Sequence, residues 1–261
     1  LSKKIKINEM KNLLFLALAL FLWGCGDKPA ANEETATETE TQSPTADNTL
    51  TKAEKAEGWM LLFDGKTAKG WRGYNQDSLP GSWTITDGTL MTAGSGGDIG
   101  GDIVFPDQPF ENFDLYMEWK IEKAGNSGIF YHVLEGDQYH ALYENAPEYQ
   151  LLDDIGFPQE LLPNQYVGAD YGMYIPAEGK AVKAAGEWNS SRIRFTPEKV
   201  TYWLNGKELL SFEPWSDDWQ MRKEVGKWKD FPDYGESKSG LIGLQDHGSQ
   251  AWFKNIKIRP L

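Results

Sequence analysis

The longest clean alternation in the chain is Phe113-Asp114-Leu115-Tyr116-Met117-Glu118-Trp119-Lys120-Ile121, in which every odd position is apolar. A period of two puts Phe113, Leu115, Met117, Trp119 and Ile121 on one face of a β-strand and Asp114, Tyr116, Glu118 and Lys120 on the other. Val200 to Leu204 and Lys207 to Leu210 flank Asn205-Gly206. That pair readily supplies the two positive φ angles of a type I′ turn, so a β-hairpin is predicted there. Shorter apolar runs predict strands at 83–91, 127–133, 148–153, 191–196, 240–246 and 251–259, with Gly, Pro, Asp and Asn between them. A short helix is predicted between Trp215 and Lys229. Many short strands without alternating helices indicate an all-β antiparallel sandwich.

Ahead of this pattern the chain changes character twice. Met10-Lys11-Asn12 leads into an apolar stretch from Leu13 to Trp23, shorter than the about 20 residues that span a bilayer and laid out as a secretory signal. Leu22-Trp23-Gly24-Cys25 reads as a lipobox whose Cys25 becomes the lipidated first residue, although Trp23 is bulkier than the usual small residue there. Residues 1–24 are therefore expected to be a signal peptide. Residues 25–57, rich in Thr, Glu and Ala, are expected to be a disordered acidic tether with too little apolar surface to fold. Residues 58–261 are enough for one sizeable core. The expected location is a bacterial cell envelope, with the lipid bilayer touched only through the anchor at Cys25. The formal net charge of −13 disfavours nucleic acid and anionic membrane surfaces as partners and leaves neutral sugars open. Cys25 is the only cysteine, which excludes a disulfide framework and a cysteine zinc site within the chain.

Candidate chemistry gathers where carboxylates and amides sit two residues apart. In Pro147-Glu148-Tyr149-Gln150-Leu151-Leu152-Asp153-Asp154, Glu148 and Gln150 project to one face and Tyr149, Leu151 and Asp153 to the other. The same spacing aligns Gln245 with His247, and Gly128 and Phe130 with His132. Aromatic residues are abundant, and rings beside amides and carboxylates suit sugars, although most of the 11 tryptophans are expected in packing roles. Gly94 to Gly101 lacks the Gly-Lys-Ser/Thr ending of a phosphate cradle, and neither Gly-x-Ser-x-Gly nor His-Glu-x-x-His occurs. Asp153-Asp154 and Asp217-Asp218 read as solvated turns, so no metal and no cofactor is expected.

Four segments in order resemble one family. They are Leu62-Phe63-Asp64-Gly65-Lys66-Thr67 with Gly70-Trp71, Asn126-Ser127-Gly128-Ile129-Phe130, Gly186-Glu187-Trp188-Asn189, and Gly240-Leu241-Ile242-Gly243-Leu244-Gln245-Asp246-His247-Gly248 followed by Trp252 to Ile258. Over roughly residues 58–261 the chain resembles the DUF1080 family, the 3-keto-disaccharide hydrolases. The resemblance implies a concanavalin A-like lectin/glucanase sandwich, or jelly roll, with long loops at about 134–147 and 155–185 over a concave, carbohydrate-holding face. It implies hydrolysis of 3-keto-glycosides by C2 deprotonation, elimination and hydration.

Carried onto this chain, the family site falls on Glu148, Gln150, Asp153, Gln245, Asp246 and His247. Glu148 is the acid/base candidate and His247 its partner; Gln150, Gln245, Asn126 and Lys183 are candidate orienting donors. Tyr131 and Trp188 lie inside family motifs and are candidates for sugar stacking. His132, which stands where relatives carry Arg, and Glu118 complete the substrate-binding set. Asp246 and Asn126 also read as turn braces. Alternatives are a 3-keto-glycal hydratase, a non-catalytic carbohydrate-binding module, and an ordinary glycosidase pairing Glu118 with Glu148.

Overall fold

The computed structural model describes residues 46–95 and 101–261. The expected signal segment, Cys25 and most of the expected tether lie outside the described residues, as do positions 96–100 of the glycine-rich loop. The strands are β1 (Met60–Leu61), β2 (Arg72–Gly73), β3 (Trp83–Thr86), β4 (Thr89–Thr92), β5 (Ile103–Phe110), β6 (Phe113–Ile121), β7 (Asn126–Val133), β8 (Glu148–Leu152), β9 (Asn189–Phe195), β10 (Val200–Leu204), β11 (Lys207–Phe212), β12 (Gly240–Leu244) and β13 (Ala251–Pro260). Two short helices are α1 (Lys52–Ala56) and α2 (Asp217–Val225).

An eight-stranded sheet runs β11-β10-β9-β6-β13-β4-β3, with β1 added to β13, and a five-stranded sheet runs β2-β5-β12-β7-β8. Among the described residues the strand pairings within both sheets are antiparallel. The inward set of β6 (Phe113, Leu115, Met117, Trp119 and Ile121) is buried with Ile129, Tyr131, Tyr149 and Leu151 of the smaller sheet in one core between the sheets. Asn205 and Gly206 take φ of 48° and 80°, as the type I′ turn requires. Asp87 and Gly88, at φ 49° and 73°, do the same inside the stretch read as one strand at 83–91, which is therefore the β3–β4 hairpin. β5 escapes the strand pattern because Pro106 and Pro109 interrupt it. It pairs with β12 but meets only the short β2 on its other side, and prolines that cannot donate a ladder hydrogen bond are tolerated near such an edge.

The ordered domain begins earlier than residue 58. Thr51 caps α1, its hydroxyl accepting from Glu54 N while Glu54 accepts from Thr51 N, the reciprocal box expected of Thr-x-x-Glu. Asn48 and Asn255 exchange hydrogen bonds, Asn48 N to Asn255 Oδ1 at 2.6 Å and Asn255 N to Asn48 Oδ1 at 2.8 Å. Glu54 pairs with Lys257 and Glu57 with Arg259 on β13. The acids that make 46–57 look like solvated tether are thus bonded to a strand some 200 positions away, which composition cannot register.

Candidate active site

β8 is the edge strand that carries the site. Tyr149 and Leu151 enter the inter-sheet core, so Glu148 and Gln150 face outward from the smaller sheet, yet they are only 4% and 3% exposed. Across the ladder Phe130 opposes Glu148 and Gly128 opposes Gln150. A Cβ on Gly128 would fall 2.4 Å from Glu148 Oε1, so the missing side chain is what lets that carboxylate lie over β7. β12 adds Gln245 and His247 just beyond its end, with Gln245 N donating to Gly128 O at 3.1 Å.

These side chains line one cavity of about 270 Å³ together with Asn126, Tyr143, Tyr171 and Lys227. Tyr143 comes from the 134–147 loop and Tyr171 from the 155–185 loop, in keeping with the expected roof. Lys227 follows α2 and lies 4.0 Å from the centre of the Tyr171 ring. Trp228 Nε1 donates to Tyr171 O at 2.8 Å and fastens the two segments together. α2 itself starts from Ser216, whose hydroxyl accepts from Trp219 N, within the predicted 215–229 window.

Three amide oxygens on this wall, Asn126 Oδ1, Gln150 Oε1 and Gln245 Oε1, are buried without a hydrogen-bond partner among the described residues. Leaving a buried acceptor unsatisfied costs about 1–3 kcal/mol, so three in one cavity mark a place built to accept from a ligand's donors. Gln150 is oriented for this by its Nε2, which donates to Gln165 O at 3.2 Å.

Asp170 was not legible as a site neighbour. Gln150 N bonds to Ala169 O and Tyr171 N to Glu148 O, laying this loop along the β8 edge. The Tyr149–Asp170 bridge puts the Asp170 side chain on the core side, fully buried, with both carboxylate oxygens unpartnered. Burial, and then the nearby Glu148 carboxylate, raise Asp170 well above the usual range and favour its protonated form. The phenols of Tyr131, Tyr202 and Tyr234 are pushed up by burial first and by Asp170 second, which sets them around it.

Of the candidates, Glu148, Gln150, Asn126, Gln245 and His247 are brought together. Asp246 is buried beside them and holds its turn, accepting from Gly248 N at 3.2 Å. Asp153 braces the end of β8 by accepting from Ala124 N and Ile155 N. Asp154 and Asp218 are taken up by Lys180 and Arg222.

Tyr131 and His132 are core residues and do not line the cavity around Glu148. Tyr131 shares a 2.8 Å hydrogen bond with Tyr202, and the His132 ring packs 4.3 Å from Phe195 while Nε2 donates to Glu111 O. His132 breaks the expected alignment with Gly128 and Phe130 for a backbone reason. It takes φ 56°, and β7 uses three residues from Phe130 to Val133 where β12 uses two. Burial pulls its pKa down to about 4, so it is neutral there.

Glu118, Trp188 and Lys183 are elsewhere. Glu118 is on the outer face of the larger sheet, bonded to Asn255 and 3.5 Å from Lys254. Trp188 stacks under Lys120 and Lys254 on that side, and Lys183 Nζ donates to Trp188 O. Glu118 and Glu148 therefore occupy opposite faces of the sandwich and cannot flank one glycosidic bond.

Residues 58–259 match the family model described as a 3-keto-alpha-glucoside-1,2-lyase-like domain. A 3-keto-disaccharide hydrolase of Bacteroides thetaiotaomicron is 38% identical, with 79% of each chain covered. A Parabacteroides distasonis crystal structure, provisionally assigned as a glycosyl hydrolase, is 44% identical with a TM-score of 0.77, covering 82% of this chain and 99% of that one. A second structure from that organism, assigned likewise, is 29% identical with a TM-score of 0.60, covering 78% and 99%.

Two outcomes are expected from this geometry. Gly128→Ala should keep the fold, because the displaced atoms are the end of one side chain, but should push Glu148 aside. Misplacement by about 1 Å can cost 10²-fold, so activity should fall by roughly that factor with an unchanged circular dichroism spectrum. For Asp170, the folded chain keeps a proton that the unfolded chain releases above its ordinary value of 3.8, so stability falls as pH rises beyond that point. Asp170→Asn should melt above the parent at pH 8, with the gap closing towards pH 4; a gap that ignores pH would show that Asp170 titrates alike in both states.

Proposed function

The chain belongs to the 3-keto-alpha-glucoside-1,2-lyase-like family, and we propose that it cleaves glycosides already oxidised at C3 of the sugar ring. The observation that carries this reading is the cavity wall where three unpartnered amide oxygens surround Glu148. Sugar hydroxyls supply the donors those acceptors lack, and one carboxylate suffices for the chemistry. A ketone at C3 acidifies the hydrogen at C2. Glu148 takes that proton, the electron pair forms the C1–C2 double bond, and the bond from C1 to the leaving oxygen breaks. His247 gives a proton to the leaving oxygen. Lys227, on the same wall, faces the C3 oxygen as charge develops on it. Water then adds across the double bond, hydroxyl to C1 and proton to C2, which completes a net hydrolysis. No second carboxylate across the bond is needed, in keeping with the separation of Glu118 from Glu148.

The test compares a C3-oxidised α-glucoside with its unoxidised parent. Turnover of the first and little of the second is expected, whereas equal rates would sink the proposal; binding of both with conversion of neither would make the protein a binding module. Glu148→Gln keeps shape and hydrogen bonding but cannot take a proton. It should lose about 10²–10⁴-fold in kcat while substrate affinity is largely retained.

We also propose that the protein is exported and held on a lipid at Cys25, a reading supported by the Leu22-Trp23-Gly24-Cys25 sequence after an apolar run. Cys25→Ala should move the protein from the membrane fraction to the soluble one with its activity unchanged. Retention of the variant in the membrane would end that reading.

A further inference from the structure

A single turn, Pro163–Gln165, lies in the loop that roofs the recess and bonds that roof to the wall. Gln165 N donates to Leu162 O at 2.9 Å, which closes the turn, and Leu162 N donates back to Gln165 Oε1 at 2.9 Å. Pro163, between them, has its φ fixed by its own ring at a value such a turn uses. The Gln165 side chain is thereby held by the turn that carries it. Its other end reaches Tyr171, with Nε2 donating to the phenol oxygen at 3.1 Å, and its main-chain oxygen accepts from Gln150 Nε2 at 3.2 Å. Gly172 N donates to Asn164 O at 2.9 Å and bonds the turn to the residue after Tyr171 as well.

These bonds have a direction. One end of a side-chain amide only accepts and the other only donates, so its partners decide which end faces which way. Leu162 N is a main-chain donor and cannot accept. It requires the oxygen of Gln165 on its own side and so puts the nitrogen on the side of Tyr171. A hydroxyl that accepts from that nitrogen keeps its single proton for another direction. Polarity thus runs from the Leu162 N–H through the Gln165 amide to the Tyr171 oxygen, and it ends in an O–H turned away from Gln165. The same turn aims Gln150 in the opposite sense: with Nε2 given to Gln165 O, its Oε1 is the end that faces the recess. One turn therefore sets a donor and an acceptor on the same wall.

Tyr171 lines the recess with Glu148, Gln150 and Lys227, and Lys227 Nζ lies 4.0 Å from the centre of its ring. We propose that Tyr171 is a further catalytic residue, whose hydroxyl donates a hydrogen bond to the C3 oxygen beside Lys227, and that Gln165 is the positioning residue that makes it a donor. The proposal rests on the reaction given above. As Glu148 removes the hydrogen at C2, charge passes through C3 to its oxygen. Lys227 attracts that charge from any angle, whereas an O–H has a direction and fixes how the ketone lies. Because Gln165 orients the hydroxyl before substrate arrives, nothing has to reorganise at the moment of reaction. No proton is transferred at this contact; the bond strengthens as the charge grows and relaxes when the C1–C2 double bond forms.

Tyr171→Phe keeps the ring under Lys227 and removes only the hydroxyl. On a C3-oxidised α-glucoside its kcat should fall by about 10²–10³-fold, the cost of one lost donor to a developing oxyanion, with KM nearly unchanged and the circular dichroism spectrum intact. Gln165→Glu keeps the shape and the bond from Leu162 N but meets Tyr171 with an acceptor, which draws the phenol proton out of the recess, so its kcat should fall comparably. Gln165→Met drops both side-chain bonds and leaves the hydroxyl able to turn, and should lose less than Gln165→Glu; a mere brace for the loop gives the reverse order. In the Tyr171→Phe background, Gln165→Glu should cost little more, as expected of two residues acting through one contact. Unchanged kcat in Tyr171→Phe, the reverse order of the two Gln165 variants, or full additivity in the double variant would overturn the proposal. If the parent protein converts no C3-oxidised glucoside, the reaction reading fails instead. Calorimetric titration with that glucoside then decides the donor alone: weaker binding by Tyr171→Phe and Gln165→Glu supports it, and unchanged binding, or none by the parent, removes it.

Discussion

The pairing register between β7 and β8 is the constraint on which the site depends. Phe130 opposite Glu148 and Gly128 opposite Gln150 fix which residues of an edge strand turn outward. A slip of one residue would send Tyr149 and Leu151 out and drive Glu148 and Gln150 into an apolar core, because side chains alternate with a period of two. The core enforces the register: Tyr149 and Leu151 are fully buried against the larger sheet. The same packing that stabilises the sandwich therefore aims the carboxylate. The loops that then cover β8 convert an outward face, ordinarily wet, into a recess where Glu148 and Gln150 are nearly inaccessible.

That recess is assembled against the grain of stability. Three amide oxygens without partners and a fully buried carboxyl at Asp170 each leave a polar group away from water. A protein selected for stability alone would fill or pair them. The large aromatic core offsets the cost: Trp228 and Tyr234 stack at 4.2 Å, and Trp119, Tyr131, Tyr202 and Phe253 are wholly buried in the same core cluster. A ligand that donates to the three amides recovers part of what folding gave up, and recognition is then coupled to a more stable domain.

Much of this was legible in the chain because it is local. The alternation of β6, the Asn205-Gly206 turn, the Glu148–Gln150 pair and the Gln245-Asp246-His247 run depend on neighbours within a few positions, and all four take the forms that spacing alone predicts. What failed was information of another kind. Glu118 does point outward, as its strand requires, but sequence does not say which sheet a strand joins, and its outside is the far side of the molecule. His132 was misplaced by one extra residue in β7, a bulge that no composition signals, whereas Tyr131 follows Ile129 into the core by the strand's own alternation. Tyr171, Lys227 and Asp170 sit on irregular segments whose positions follow from tertiary bonds such as Trp228 to Tyr171, so no period could have drawn them in.

The exchange of hydrogen bonds between Asn48 and Asn255 carries a mechanical consequence. β13 runs in the interior of the larger sheet, bonded to β6 on one side and to β4 and β1 on the other. A pull transmitted through the residues before Asp47 reaches the fold at the irregularity between Lys254 and Lys257, in the middle of that strand. The load is then shared by ladders on both flanks and resisted in shear, where many bonds must yield at once, and not peeled one bond at a time from an edge. The smaller sheet, with its recess, lies outside that line of force, so a domain tugged by its leading segment would keep its working face undistorted.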